Sequence, residues 1–204
     1  QDGSSPKAMI QTAREQVAAY PTTTFIDGVA ADAWKEDGRL VVVLEDGTMH
    51  SSARLLLAFG VSDVLPDIPG LAERWGQSVI HCPYCHGYEF SDKKLGVLQL
   101  SPVSQHQALL IAQWGPTTFF LNGGEVHEDA VLQQFKQHGV VVETRSIAAL
   151  VGAGRDLSQL RLDGGDTLPL DALYIGPKHD LNSPIAEQIG CKLGLPPESA
   201  RLLT

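Results

Sequence analysis

The chain has 204 residues, of which 43% are hydrophobic and 19% are charged, a composition typical of an ordinary soluble globular protein. Its formal net charge of -9 at pH 7 argues against a nucleic-acid partner, because binding phosphates requires a basic surface. The longest apolar runs, such as "LLLAF" at 55–59, are far too short to cross a bilayer, so we expect no membrane contact.

The first residue is Gln1, and no basic-then-apolar leader follows it. The chain has three cysteines, an odd and low number that does not suit a secreted protein held together by disulfides. We therefore predict a cytoplasmic protein with one functional cysteine pair and a spare Cys191.

The first third of the chain changes from helical to β character. Ser5 and Pro6 predict an N-cap with proline at the first helical position, opening a helix that runs up to Pro21. Short β runs separated by Asp-Gly turns follow, and they predict a β-meander over about 22–50: "TTTFID" (22–27), "VAADAW" (29–34) and "RLVVVLE" (39–45). The apolar run "ARLLLAFG" (53–60) predicts a strand that is buried on both faces.

The prolines and glycine of "LPDIPG" (65–70) mark a domain boundary. After it, predicted strands alternate with predicted helices, which indicates a parallel sheet with crossover helices. The first elements are the strand 95–100, a helix opening at Ser101-Pro102, and the strand 117–121. The apolar stripe of that helix is predicted to be Val103, Leu110, Ile111 and Trp114. A helix over 127–138, the strand 139–143, β structure over 145–175 with a turn at Asp163-Gly164, and a buried strand over 170–176 follow.

The stretch "HCPYCHGYEF" (81–90) contains a Cys-x-x-Cys pair that fits several chemistries. "CPYCH" matches the haem attachment pattern, but the surroundings are β-rich and methionine ligands are scarce. Zinc needs a second pair of ligands, and Cys191 stands alone. Two cysteines packed as small apolar side chains remain an alternative, although the proline between them and Gly87 favour a shaped turn.

A redox-active dithiol is the interpretation that the residues favour most. The sulfurs of Cys82 and Cys85 can close a small ring, and a nearby donor can stabilise one of them as a thiolate. His86 is the candidate general acid and base, whereas His81 is expected to be a solvated neighbour. The strand–helix pattern that begins ten residues after Cys85 suggests a nucleotide as the electron source.

Three segments together resemble a known family: "LLLAFGVSDVLPDIPG", "VIHCPYCHGYEFSDKKLGVL" and "DALYIG". They are similar to the two-domain thioredoxin reductase-like flavoproteins, and "CPYCHG" is similar to the branch that includes the dithiol oxidases of gliotoxin and holomycin biosynthesis. The resemblance implies an α/β fold with FAD- and NAD(P)-binding Rossmann-like sheets. It also implies that Cys85 faces the flavin, that Cys82 attacks the substrate disulfide, and that His86 takes the place of an aspartate found in many relatives.

The resemblance also implies the domain order and the cofactor contacts. Residues 1–65 correspond to part of an FAD-binding domain, 66–178 to an NAD(P)-binding-like domain with the cysteine pair, and 179–204 to a return segment toward the flavin domain. The FAD domain is expected to be incomplete, because the family's Gly-x-Gly-x-x-Gly and Gly-Asp motifs are missing from the 204 residues. The implied cofactor contacts are Val29, Ala58, Gly60 and Val61 for FAD, and Ser101 and Ser104 for NAD(P)H.

Two functions are therefore open. In the first, the chain exchanges electrons between FAD and a substrate dithiol or disulfide through Cys82 and Cys85, with a thioredoxin-like protein or a small molecule as substrate and a homodimer as the expected assembly. In the second, the chain is a catalytically silent α/β domain that binds no FAD and serves as a binding or assembly module. NAD(P)H binding is expected to be weak or absent, because Gln99 and Ser101 replace two glycines of the family's nucleotide loop. FAD is expected in a longer parent chain rather than in these residues alone, and no metal is expected.

Overall fold

The computed structural model describes residues 4–125 and 129–193. Its α-helices are α1 (Pro6–Ala18), α2 (Pro83–His86), α3 (Val103–Ile111), α4 (Asp129–Gln137) and α5 (Ile185–Gln188). Its strands are β1 (Ala30–Glu36), β2 (Arg39–Leu44), β3 (Met49–Ser52), β4 (Val61–Val64), β5 (Val79–Ile80), β6 (Leu95–Leu98), β7 (Thr117–Phe120), β8 (Val141–Glu143), β9 (Ile147–Val151), β10 (Gln159–Leu162), β11 (Thr167–Pro169), β12 (Ala172–Tyr174) and β13 (Lys178–Leu181). Short 3-10 helices cover Ala72–Arg74 and Tyr88–Phe90. Within the described ranges, each helix is too short or too polar to cross a lipid bilayer.

The described residues divide into two compact units, and the larger is Val61–Asp180. Its centre is a five-stranded sheet in the order β5-β12-β6-β7-β8, in which the pairings are parallel. α3 connects β6 to β7, and α4 lies between β7 and β8. This confirms the α/β class and the parallel sheet with crossover helices that the sequence predicts.

The parallel sheet is buried on both faces. All four residues of β6 and all three of β12 are buried, as continuous apolar strands in such sheets are. Two clusters of buried side chains surround the sheet. The first is Leu71, Val79, Leu98, Phe120, Ile147, Leu150, Leu157, Leu160, Leu162, Leu170, Leu173 and Ile175. The second is Ile80, Leu95, Val97, Ala108, Ile111, Phe119, Leu121, Phe135, Val140, Ala172 and Tyr174.

The buried face of α3 differs from the predicted stripe. Ser104, Gln107, Ala108 and Ile111 are the buried residues of this helix, whereas Val103 is 71% exposed. The buried residues are spaced at i, i+3, i+4 and i+7 from Ser104, which is one face of a helix. The prediction was therefore wrong for Val103, because a polar Ser104 with a local hydrogen-bonding role takes the inward position.

Two smaller sheets complete the larger unit, and the three-stranded one is antiparallel. One has the order β11-β10-β9, and the other pairs β13 with β4. The turn between β10 and β11 contains Gly164 and Gly165 with φ values of 95° and 92°, a region that side-chain-bearing residues rarely adopt. The predicted Asp163-Gly164 turn is thus confirmed.

The smaller unit consists of residues 4–60 and 181–193 among those described. Its β1, β2 and β3 form an antiparallel meander, and Asp37 and Gly38 form the first turn with φ values of 47° and 75°. The predicted helix α1 is also confirmed, with the Ser5 hydroxyl accepting a hydrogen bond from the Ala8 N–H at 3.2 Å. None of the residues of α1 is buried.

Two strands predicted for the smaller unit are absent from it. Residues 22–27 are not in a strand, and residues 54–60 are also without regular structure. Side chains with a high β propensity form strands only where a partner strand pairs with them, and no strand of this unit in the described chain pairs with either segment. Residues 53–60 are not buried on both faces either: Leu55 and Leu57 are half-buried against Ala33, Ile185 and Ile189, whereas Leu56 is 90% exposed.

Candidate active site

The cysteine pair lies at the carboxyl end of β5, where a tight turn begins α2. Cys82 is the N-cap of α2 with extended backbone angles, and Pro83 occupies the first helical position. Proline suits this position because its fixed φ is helical and its missing N–H needs no partner there. The N–H groups of Cys85 and His86 donate to the Cys82 carbonyl at 3.3 and 3.2 Å. The turn therefore brings the side chains of Cys82 and Cys85 to one side.

The two sulfurs lie 3.0 Å apart, and both cysteines are free thiols. The Cys85 S–H donates to the Cys82 sulfur, and this hydrogen bond is the main cause that lowers the pKa of Cys82. Partial burial opposes the shift, while the backbone N–H groups of Cys85 and Tyr84 add to it. The pKa of Cys85 is raised, first because its proton is held by Cys82. Cys82 is thus the sulfur that ionises more readily of the two, and the thiolate is the form that attacks disulfides.

His86 follows Cys85 on the same turn. Its Nδ1 lies 2.9 Å from Glu89 Oε2, and the ring is 39% exposed. A carboxylate on one imidazole nitrogen fixes the tautomer and leaves the other nitrogen to exchange protons. The predicted residues Cys82, Cys85 and His86 therefore lie together, with Glu89 as a partner that the sequence did not single out.

Gly87 allows the turn to pack closely against α3 and the residues after it. A Cβ atom at position 87 would lie 2.5 Å from the Pro83 carbonyl oxygen and 2.5 Å from a ring carbon of Trp114. Both distances are too short for any side chain, so glycine is required here. On the other side of the pair, Gln107 Nε2 donates to the His81 carbonyl at 2.7 Å, which ties the beginning of the turn to α3.

A chain of polar contacts that the sequence did not reveal reaches His81, the residue before Cys82. The His81 ring meets the His179 ring edge-on, with 6.0 Å between centroids. His179 Nδ1 lies 2.7 Å from Asp63 Oδ1, and Trp75 Nε1 donates to Asp63 Oδ2 at 3.2 Å. His81 is exposed, as expected, but it is not isolated. Asp63 and His179 are 116 positions apart, so no local pattern could have linked them.

No metal site accompanies these residues in the part of the chain that the structure describes. There, no three side chains of His, Cys, Asp or Glu converge as metal ligands would. The third cysteine, Cys191, is an exposed free thiol that belongs to the other unit.

A pocket of about 410 Å³ lies within the smaller unit. Val29 and Ala58, two of the predicted FAD contacts, line it. Gly60 does not: its φ is 70°, and its carbonyl accepts a hydrogen bond from the Asn182 N–H at 3.3 Å. Val61 is the first residue of β4 and belongs to the larger unit. The remaining lining residues are Gly28, Ala30, Val42, Leu55, Leu56, Leu57, Phe59, Asn182, Ser183 and Ile185.

The chemistry of this pocket fits the adenine end of FAD better than its pyrophosphate. The walls are mostly apolar, and no lysine, arginine or histidine of the described residues lines them. The amide of Asn182 is already bonded to the Phe59 carbonyl at 3.0 Å. An apolar cleft accepts a flat ring, whereas a pyrophosphate needs cations or free N–H groups.

A second pocket, of about 570 Å³, lies in the larger unit beyond the ends of β6 and β7. Gln99 and Ser101 line it, together with Leu100, Pro102, Gln105, Leu121, Asn122, Gly123 and Gly124. Ser104 is buried, and its hydroxyl accepts hydrogen bonds from the N–H groups of Leu100 and Ser101 at 3.2 and 3.3 Å. Those backbone donors are the ones that a pyrophosphate at this turn would need. The residues here do not fit the pyrophosphate of NAD(P)H.

Comparison with known proteins places this geometry in context. Thioredoxin reductase tcpT of Claviceps purpurea is 37% identical over 133 residues, which are 61% of this chain and 41% of that protein. The solved structure of an oxidoreductase from Agrobacterium tumefaciens is 38% identical with a TM-score of 0.86, over 97% of this chain and 65% of the other. The structure of HlmI is 35% identical with a TM-score of 0.85, over 95% and 62% of the two chains. No protein-family model matches the chain.

The relatives found by sequence all carry thioredoxin reductase in their names, and this chain covers only part of their length. A protein of Arthroderma benhamiae named "probable thioredoxin reductase" and thioredoxin reductase sirT of Leptosphaeria maculans also match it. This chain spans between 41% and 55% of the length of these three relatives. The resemblance to thioredoxin reductase-like proteins that the sequence indicates is therefore confirmed.

Proposed function

From this likeness to thioredoxin reductases in sequence and in fold, we propose that the chain carries the dithiol of a flavin-dependent thiol–disulfide oxidoreductase. Cys82 and Cys85 exchange an electron pair between FAD and a substrate dithiol or disulfide. The observation that carries the proposal is the pair of free sulfurs 3.0 Å apart, with one S–H donating to the other sulfur. That arrangement favours the thiolate at Cys82 and the thiol at Cys85, the two forms that disulfide exchange requires.

The two cysteines have different roles in the exchange. The Cys82 thiolate attacks one sulfur of a substrate disulfide, which forms a mixed disulfide and releases the first substrate thiolate. Cys85 loses its proton and attacks the Cys82 sulfur, which closes the Cys82–Cys85 disulfide and releases the second substrate thiolate. His86 accepts the Cys85 proton and passes it to a leaving thiolate, and Glu89 at 2.9 Å holds the imidazole.

The resemblance supports FAD as the partner of this dithiol, with Cys85 as the sulfur that faces it. FAD supplies or takes up the electron pair when it is bound. Val29 and Ala58 would hold its adenine end in the pocket of the smaller unit, while Gly60 and Val61 stay sequence-based candidates outside that pocket. NAD(P)H has no step in this proposal, because the turn around Ser101 and Ser104 does not fit its pyrophosphate.

The substrate is a thioredoxin-like protein or a small dithiol, and the assembly is a homodimer in the cytoplasm. The exposure of Cys85, with Tyr84 78% exposed and Tyr88 84% exposed beside it, supports access for either substrate. The division into residues 1–65, 66–178 and 179–204 remains the proposed domain assignment.

Thiol counting tests the proposal directly. We expect the oxidised chain to have two fewer reactive thiols than the chain after mild reduction, because Cys82 and Cys85 form a reversible disulfide. Cys82→Ser should abolish this difference, and the matched variant Cys191→Ser should lower both counts by one and preserve it. An unchanged count in the parent chain contradicts the proposal and favours the catalytically silent binding module. Stoichiometric release of zinc on cysteine modification would also contradict it.

A further inference from the structure

Tyr174 is a buried residue that the proposed chemistry has not yet used. It is the last residue of β12, and its relative exposure is 0%. Its ring packs in the cluster that includes Ile80 and Phe119, with Phe90 and Trp114 at the edge. The hydroxyl has no hydrogen-bond partner within the described residues.

The register of the parallel sheet places Tyr174 beside the cysteine turn. Tyr174 pairs with Ile80 across β12 and β5, and Cys82 follows Ile80 by two positions. Tyr174 and Ile80 are cross-strand neighbours that pack in the same buried cluster, and the cysteine turn begins just beyond the end of β5. The negative charges of Glu89 and Cys82 both act on the phenol, after burial, to raise the pKa of Tyr174 to about 12. Tyr174 therefore keeps its proton and is available as a donor.

A buried hydroxyl without a partner is unfavourable, and phenylalanine would fill the same space without that cost. The presence of the Tyr174 hydroxyl is explained if it gains a hydrogen-bond acceptor in another chemical form of the cysteine pair. In the dithiol form, the Cys82 sulfur already receives the Cys85 S–H at 3.0 Å. That donor disappears whenever Cys85 is covalently occupied.

Resting on the proposed dithiol function, we propose that the Tyr174 hydroxyl is the hydrogen-bond donor to the Cys82 thiolate when Cys85 cannot donate. A small thiol reductant, which is not the substrate that exchanges at Cys82, can instead attack the more exposed sulfur of Cys85. Its thiolate R–S⁻ attacks the Cys85 sulfur of the Cys82–Cys85 disulfide, the new R–S–S–Cys85 bond forms, and the Cys82–Cys85 bond breaks. Cys82 leaves with the electron pair as a thiolate, and Cys85 has no S–H to offer. Rotation of the Cys82 side chain about one bond then directs the sulfur toward the Tyr174 hydroxyl, which stabilises the leaving group.

The experiment isolates this form of the site by removing the competing donor. The full 204-residue chain with Cys85→Ala and Cys191→Ser leaves Cys82 as its single thiol. The ionisation of Cys82 is followed by thiolate absorbance and by the rate of alkylation against pH. Adding Tyr174→Phe should raise the titration midpoint by about one pH unit, so that alkylation below the midpoint slows about tenfold. The control variant Tyr88→Phe removes an exposed hydroxyl from the residues that follow the cysteine turn. It should change neither the titration midpoint nor the alkylation rate.

The same substitution in the chain that retains Cys85 should shift the Cys82 midpoint far less, because the Cys85 S–H is then the donor. An unmoved midpoint in the Cys85→Ala background would overturn the role of Tyr174. Loss of folding in Tyr174→Phe alone, measured by circular dichroism, would overturn it as well, since the hydroxyl would then have a structural partner. Neither result depends on disulfide formation in the parent chain, so failure of this inference and failure of the proposed function are distinguishable.

Discussion

The two units of the molecule differ in how much of their surface they bury. In Val61–Asp180, two clusters of twelve and eleven buried residues cover a five-stranded parallel sheet. In residues 4–60 with 181–193, the buried cluster contains Ala33, Ile185 and Ile189, and α1 has no buried residue. The parallel sheet has apolar cover on both faces, whereas the meander β1-β2-β3 has little cover.

This difference in packing leads us to expect that the larger unit keeps its site ordered by its own contacts and that the smaller unit does not. The cysteine turn belongs to the well-packed unit, where β5, α3 and Trp114 hold it in place. The pocket lined by Val29 and Ala58 belongs to the thinly packed unit, and apart from Ile185 its lining residues are half-buried or exposed. Thiol chemistry should therefore be robust in this chain, while flavin binding should not.

The largest expected effect is the loss of tight flavin binding. The pocket of the smaller unit has mostly apolar walls, and no cationic side chain is among its described lining residues. Each charge-assisted contact that a pyrophosphate lacks forgoes about 1.5–3 kcal/mol. We expect the 204-residue chain to purify colourless and to stay colourless after FAD is added and excess is removed. The measurement is absorbance in the flavin's visible band. A yellow protein would contradict this expectation and would show that the smaller unit binds FAD without those contacts.

The next largest effect is on the free energy of unfolding, for a leucine-to-alanine substitution made in each unit. Leu95→Ala removes a side chain of 0% exposure from β6, and we expect it to lower the free energy of unfolding by about 2–5 kcal/mol. Leu40→Ala removes a half-buried side chain from β2, where a cost of about 1 kcal/mol is expected because little cavity is created. Urea denaturation followed by circular dichroism measures both. Equal costs would show that the two units are equally well packed.

The smallest effect concerns NADPH at the turn between β6 and α3. We expect a Kd above roughly 1 mM in the unmodified chain, because Ser104 occupies the N–H groups of Leu100 and Ser101. Gln99→Gly combined with Ser104→Ala frees those donors and should tighten binding about tenfold, or about 1.4 kcal/mol. Gln105→Ala, in the same pocket, should leave binding unchanged. Titration calorimetry that finds micromolar affinity in the unmodified chain would contradict this account of the turn.

Much of the larger unit could be predicted from local patterns, because its strands are continuous apolar runs between glycine and proline signals. That pattern placed the strands Leu95–Leu98 and Thr117–Phe120 to within two residues at their ends and indicated that the sheet is parallel; the order of its strands came from the structure. The Cys-x-x-Cys turn was equally visible, since Pro83 and Gly87 constrain it locally. The smaller unit was less predictable: residues 22–27 and 53–60 have strand-like side chains, yet no neighbouring strand in the described chain pairs with them.

The residues alone were enough to identify the α/β class, the cysteine pair and the family resemblance, because these depend on spacing along the chain. Which cysteine has the lowered pKa depended on the 3.0 Å contact between the sulfurs and on the N–H groups around Cys82. The contact of His179 with His81, the capture of the nucleotide-turn amides by Ser104, and the buried Tyr174 hydroxyl beside the cysteine turn were likewise decided by the tertiary structure. Hydrogen bonds and burial depend on distances between side chains, and folding sets those distances, for His81 and His179 across 98 positions of sequence.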